Sequence, residues 1–398
     1  MTDLPRTLSR ARMATSVAFG LQGFLLATIL TQLPMFRDLF DLDDGLLTVA
    51  VVAVSVIAGL GSILAEKLAV RTSSKFTLRT GLTLIAVLGA CLGLAPNAAL
   101  FLILLAVYGI GVGIVDAAAN MQAVSIQHAK GTFILSSFHA SWSVGAIVGA
   151  GFVTATSGLD IWERAPQVCA GLIAAVALAI VGPKLLDRAA APASGTTVAG
   201  APMLTVPIRA FMLLGLAMAL FYAVDFSLGT WSTLYVENVL LSDAGTAALS
   251  VVLYQAAALT ARLTGDFWVG KFGETMVVRV GALIGVTGMV VVVAAQSPIT
   301  ALLGFLIVGL GLPVIAPICF SAAGRMAPTG QVDAVIARTN LFNYVGTVMG
   351  AGFVGLLATF TNLRIGFLVP LAFCVVLVAL APVFAPRRVN TATSDSAS

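Results

Sequence analysis

Apolar residues run along this chain in long blocks rather than in alternation. Polar residues collect in the short breaks between them. A membrane-crossing helix needs about 20 apolar residues at 1.5 Å per residue, and blocks of that length recur twelve times. They are predicted at 13–36, 45–68, 76–95, 99–125, 133–156, 165–186, 208–236, 244–268, 276–296, 299–324, 332–359 and 363–384. The blocks are continuous and too long for barrel strands, which would alternate apolar and polar positions. The prediction is an all-α membrane protein.

Composition agrees. Hydrophobic residues make up 59% of the 398 and charged residues only 10%, against about 25% charged in an ordinary soluble domain. Such a chain cannot cover a water-facing surface. Its 39 glycines suit helices that approach closely in lipid. The net charge of +4 does not point to nucleic acid, because the basic residues sit in short loops and form no stripe with aromatics between them. Cys91, Cys169, Cys319 and Cys374 lie in different apolar blocks without metal-ligand spacing, and read as packed thiols. Arg6, Arg10 and Arg12 precede an apolar run that is too long for a signal peptide and lacks a small-residue cleavage site.

The basic residues also orient the chain. With the N-terminus inside, only Arg37, Arg164 and Arg364 of the 21 Lys and Arg fall outside. This asymmetry predicts both termini in the cytoplasm. The stretch DRAAAPASGTTVAGAPMLTVP (187–207) reads as a cytoplasmic linker between two six-helix halves, 1–186 and 208–385, and 386–398 as a disordered tail.

The halves echo each other at an offset of about 200 residues. GAIVGAGFV (145–153) matches GTVMGAGFV (346–354), Gly109 and Gly111 match Gly309 and Gly311, and AEKLAVR (65–71) matches GDFWVGK (265–271). Twelve helices in a parallel repeat describe one common transporter architecture.

Acids inside apolar helices are costly and are functional candidates by default. Asp116 lies in GVGIVDAAANMQ (111–122), and Gly109, Gly113, Asp116 and Asn120 share one helix face. Asp225 lies near the middle of the seventh block. No Lys or Arg is placed to neutralise either acid, so both are candidate proton carriers, with a locked helix–helix hydrogen bond as the alternative. Candidate solute contacts are Asn120, His139, Trp142, Asn340, Asn343, Tyr344, Gln22, Tyr254 and Gln255. His139 and Asn340 occupy equivalent places in the two halves. Pro313 and Pro317 suggest a kink in the tenth block.

The chain resembles the major facilitator superfamily along its whole length. That superfamily's signature after the second helix, Gly-x-Leu-Ala-Asp-Arg-x-Gly-x-Arg, appears as SILAEKLAVR (62–71), with Ser62, Glu66, Lys67 and Ala69 substituted. A closer copy is ARLTGDFWVGKFG (261–273). The resemblance implies a conformational latch formed by Glu66, Lys67, Arg71, Arg262, Asp266 and Lys271, with each acid near basic residues of the following loop. DAAANMQ followed by SSFHASWSVGAI (136–147) resembles the fucose–proton symporter branch. That likeness implies a proton-binding role for Asp116 and a substrate contact at His139. The sequence departs by having Gln22 where the branch has an acid and His139 where it has Asn.

The reading is a proton-coupled symporter of a small polar solute such as a sugar, working by alternating access. It is expected as a monomer in the bacterial plasma membrane, with the solute, protons and the bilayer as its partners and no cofactor or metal. The alternative is an antiporter exporting drugs or amphipathic metabolites, which the absence of a Gly-Pro pair in GAIVGAGF (145–152) disfavours. A receptor or scaffold would leave both acids unexplained. An enzyme is disfavoured because no catalytic triad, phosphate loop or metal cluster is legible.

Overall fold

The structure is a computed structural model and describes residues 4–157, 159, 162–187 and 206–385. The helices are α1 (Leu4–Leu39), α2 (Asp44–Arg71), α3 (Ser74–Leu94), α4 (Ala98–Lys130), α5 (Leu135–Ser157), α6 (Ala165–Val181), α7 (Ile208–Leu234), α8 (Ala244–Phe272), α9 (Glu274–Ala294), α10 (Pro298–Gly311), α11 (Ile315–Met326), α12 (Val332–Phe360), α13 (Leu363–Gly366) and α14 (Leu368–Leu380). They form 12 spans long and apolar enough to cross a membrane, with α10 and α11 joined in the tenth and α13 and α14 in the twelfth. The described residues contain no strand. Most of the expected linker, 188–205, and the expected tail, 386–398, lie outside the described residues.

Several helices outrun their apolar blocks. α1 begins at Leu4 and α4 continues to Lys130. Hydropathy sees only the part that prefers lipid, whereas helical hydrogen bonding carries on through polar turns. The tenth span breaks into a 3-10 turn at Leu312–Val314. Pro313 lacks the N–H that an α-helical bond would use there.

Helix ends repeat between the halves. Asp43 accepts from the Leu46 N–H at the start of α2, and Asp243 from the Thr246 N–H at the start of α8. The Thr246 backbone bond holds the Asp243 carboxyl below its ordinary range. Asn97 and Ser297 cap α4 and α10 in the same way. Two of the three arginines outside the basic end have one structural explanation. Arg164 donates to the Ala95 carbonyl at 2.7 Å, and Arg364 to the Ala295 carbonyl at 2.6 Å. Each cation seats on the C-terminus of α3 or α9, where unpaired carbonyls and the helix dipole favour positive charge.

The glycine repeat is a packing device. Within the first half, α1 packs on α5 and α2 on α4; within the second, α7 packs on α12 and α8 on α10. A Cβ on Gly145 would strike the Gly20 carbonyl of α1, and one on Gly346 the Ala219 carbonyl of α7. Gly149 and Gly350 repeat the contact one turn on, against Phe24 and Ala223. In contrast, Gly151 and Gly352 have open space in both halves. The Gly face of α4 also packs on helix: Gly109 meets the Val54 carbonyl and Gly113 the Ala58 carbonyl of α2.

Gly145→Leu is therefore expected to destabilise the fold by at least about 1–3 kcal/mol through overpacking, while Gly151→Leu leaves stability unchanged. Thermal unfolding of the two purified variants, followed by loss of the monodisperse peak in size-exclusion chromatography, checks the contrast.

Candidate functional site

The Asp116 carboxylate sits where three helices meet. Its Oδ1 accepts from Gln22 Nε2 on α1, and its Oδ2 accepts from the Tyr344 hydroxyl on α12. Gln22 and Tyr344 are both buried. The acid of one half thus holds a hydroxyl of the other. One turn along α4, Asn120 Nδ2 donates to the Asp116 backbone carbonyl at 2.9 Å, and Asn120 Oδ1 lies 3.3 Å from His139 Nε2 on α5. The His139 ring is flanked by Phe19 at 5.3 Å and by Phe320 of α11 at 6.0 Å. Gln22, Asp116, Asn120, His139 and Tyr344 therefore form one hydrogen-bonded chain between the halves. A carboxylate with two donors in a water-poor setting can hold charge or take a proton.

Asp225 forms a second, local site. Tyr254 of α8 donates its hydroxyl to Asp225 Oδ1 at 2.5 Å. Within α7, Tyr222 shares the Asp225 face, and Gly229, one turn beyond, is exposed with no atom within 4 Å of an added Cβ.

The other candidates scatter more. Asn340 Nδ2 donates to Ser62 Oγ at 2.8 Å, and Ser62 donates to the Gly113 carbonyl at 3.2 Å, so Asn340 ties α12 to α2. Trp142 and Asn343 are half-buried, and neither side chain enters that chain of bonds. Gln255 is exposed. It follows Tyr254 by one residue, which turns it about 100° away around α8.

The latch residues are paired differently from the expectation. Glu66 reaches across the halves to Arg338 of α12, with Arg338 Nη2 at 2.6 Å and Nε at 3.0 Å from Oε1. Lys67 and Arg71 are exposed on the other side of α2. The helix decides this: one residue is 100° of rotation, so only Glu66 faces α12. Asp266 crosses in the opposite direction. It accepts from the Ser136 N–H at 2.9 Å and the Ser137 N–H at 3.2 Å, in the first turn of α5. That carboxylate meets free N–H groups and the positive end of a helix dipole. Arg12 donates to Ser137 Oγ at 3.2 Å beside it. Lys271 lies over the Phe272 ring at 5.3 Å. Arg262 is buried and donates from Nη1 to Ser143 Oγ of α5 at 2.7 Å.

Sequence reasoning passed over Ser62, Ser143, Tyr222, Ser321 and the pairing role of Arg338. Offsets hold the clue for some. Glu66 and Asp266 are 200 apart, and their partners Ser137 and Arg338 are 201 apart. Gln127 and Ser321, joined at 2.7 Å across the halves, have no such signal. The named cross-half bonds run from Asp116 at mid-bundle to the end at which α1 begins.

The family model described as Major Facilitator Superfamily matches residues 4–150 and 214–397. An uncharacterized MFS-type transporter of Yersinia pestis is 27% identical over 384 residues, covering 95% of this chain and 96% of its own. Among solved structures, the E. coli fucose:proton symporter FucP superposes with a TM-score of 0.78 at 19% identity, over 94% of this chain and 98% of that one. The proton:xylose symporter XylE gives 0.77 at 15% identity, over 96% of each chain. At these identities the likeness to the solved structures shows the fold. The family match covers most of the sequence and agrees with the twelve-span, two-half architecture: the chain is a transporter, and it belongs to the Major Facilitator Superfamily.

Proposed function

We propose that this chain is a proton-coupled symporter that carries a small polar solute by alternating access, with Asp116 as the acid that couples proton to solute. The observation behind this is the bond from Tyr344 to Asp116. The proton-binding group is itself a contact between the moving halves. Hydrogen bonds to an ionised carboxylate are worth about 1.5–3 kcal/mol and neutral ones about 0.5–1.5. Protonating Asp116 thus weakens its two acceptor bonds by roughly 2 kcal/mol together, which shifts a two-state equilibrium about thirtyfold. A proton that releases Gln22 and Tyr344 can free the halves to rock once solute has replaced those contacts.

The remaining assignments follow the same logic. The positive-inside rule puts the basic end, with both termini, in the cytoplasm of a bacterial plasma membrane. Glu66–Arg338 and Asp266 on α5 are then two symmetry-related locks at the cytoplasmic end, and the arrangement is closed there. Asp225 with Tyr254, below the open space beside Gly229, is a second proton site or a solute contact on the outward side. Asn120 and His139 sit within the coupling chain and are the best-placed solute contacts. FucP and XylE, both proton-coupled sugar carriers by their descriptions, support a polar solute.

In proteoliposomes, a transported polar solute is expected to drive proton entry that Asp116→Asn abolishes and Tyr344→Phe slows severalfold. Normal solute-driven proton entry in Asp116→Asn would remove Asp116 from coupling. Proton exit driven by lipophilic cations, with no response to polar solutes, would favour an exporter.

The locks give a separate prediction. Val124 is buried against Gly324 across the halves. In a cysteine-free background, maleimide labelling of Val124→Cys should rise about tenfold when Arg338→Ala breaks the Glu66 pair, since about 1.4 kcal/mol is a factor of ten. Unchanged labelling would show that the pair does not hold this end shut.

A further inference from the structure

Among the described residues, Arg262 is a buried site cation that no acid answers. It is 7% exposed, and burying a guanidinium without a counter-charge is expensive. Among the described residues no carboxylate lies within 4 Å of it. The nearby acids are committed elsewhere: Asp266 to the α5 backbone, Asp225 to Tyr254, Asp116 to Gln22 and Tyr344, and Glu66 to Arg338. Nη1 donates to Ser143, while Nε is buried with no partner at all.

The direction of the side chain is the second observation. The Arg262 carbonyl accepts from Ser136 Oγ at 2.8 Å, near the start of α5, but its Nη1 reaches Ser143 Oγ at 2.7 Å. Those serines are seven residues apart, about 10 Å along a helix axis. Long basic side chains near a helix end ordinarily stretch toward the headgroups and water. Arg262 stretches the other way, toward the middle of the bundle. It arrives beside the coupling chain, since Ser143 Oγ also contacts the His139 carbonyl at 3.4 Å. The guanidinium lies within electrostatic reach of His139, Tyr222 and Tyr254. The repeat equivalent of Arg262 is Ser62, whose hydroxyl makes the corresponding cross-half contact, accepting from Asn340 of α12, without any charge. An arginine is therefore not needed for packing at this place.

We infer that Arg262 is a binding residue for an anionic solute: its free Nε–Nη2 edge takes a carboxylate of the transported molecule. This deepens the symport reading and rests on it. A planar fork matches a carboxylate bidentately, and an ammonium does not. The solute class is then a small organic monoanion with polar groups, such as a sugar acid or hydroxy acid. A neutral sugar would leave the buried cation uncompensated. The carboxylate sits at the inner floor of the central site, and the rest of the molecule extends toward His139 and Asn120.

Binding to purified full-length protein in nanodiscs, read by calorimetry, tests this with D-glucuronate, D-gluconate and L-lactate as probes. D-glucose and D-glucuronamide serve as their uncharged counterparts. At least one carboxylate is expected to bind, with its uncharged counterpart at least tenfold weaker. Arg262→Lys should weaken the carboxylate about tenfold and Arg262→Gln about a hundredfold or more. Arg262→Lys keeps the charge and guards against a variant that fails to fold. The inference is overturned if neutral probes bind wild type and Arg262→Gln alike, if carboxylate affinity ignores both substitutions, or if no carboxylate binds. Proton entry separates the two claims. Asp116-dependent proton entry driven by a neutral sugar would uphold symport and sink the anion assignment. Arg262-dependent carboxylate binding with unaltered proton entry in Asp116→Asn would do the reverse.

Discussion

A carboxylate in a water-poor helix bundle must find hydrogen-bond donors, and where it finds them decides what the protein can do. Asp116 could have been satisfied within its own half, as Asp225 is by Tyr254. Instead one oxygen takes Gln22 and the other takes Tyr344 from the opposite half. The same requirement then spreads outward. Asn120 is fixed by the Asp116 carbonyl, and His139 is fixed by Asn120. An ionisable group is thereby made part of the interface between the two halves.

Around this centre, the packing is arranged to be stiff within halves and breakable between them. Inside each half, glycines let helix backbones touch, as at Gly145 on Gly20 and Gly346 on Ala219. Such contacts lose their fit with any sliding and favour rigid-body motion. The bonds between the halves include an ion pair at Glu66–Arg338, a carboxylate on the α5 N-terminus, the Tyr344 and Arg262 bonds to Asp116 and Ser143, and amide–hydroxyl contacts at Asn340–Ser62 and Gln127–Ser321. Polar contacts can be exchanged for water at modest net cost.

The fold was legible because its determinants are one-dimensional. Apolar block length predicts the spans, and the repeated GAGFV strings report a contact that recurs in both halves. The intramembrane acids were legible for the same reason, since a lone Asp among apolar residues stands out. Pairing was not. Whether Glu66 meets Arg71 or Arg338 depends on helix rotation and on which half lies opposite. A local string carries neither. Gln255 was drawn in by its neighbour Tyr254 although 100° separates them. Ser143 and Ser321 gave no warning, because a serine in a small-residue helix looks like packing until its partner is known.

The repeat also separates scaffold from chemistry. Positions that frame the fold keep their residue type across the offset of 200: Asp43 with Asp243 at helix starts, Arg164 with Arg364 at helix ends, Gly111 with Gly311 in the packing. Those three pairs do the same job twice, and each is satisfied where it stands. The charged positions at the centre do not repeat. Asp116 faces Ala316 across the repeat, Asp225 faces Leu26 (Phe24 and Ala223 being the matched contacts of α1 and α7), and Arg262 faces Ser62. A repeated scaffold has no packing reason to hold a charge in one copy only, because the other copy shows that the place can be filled without it. The asymmetric charges are therefore the positions that packing alone does not explain. Two of them, Asp116 and Asp225, are answered by hydroxyl or amide donors. The third, Arg262, has a single hydroxyl and an unpartnered Nε. A buried cation left in that condition is a demand for an anion, and the solute is the component of the cycle that can supply one.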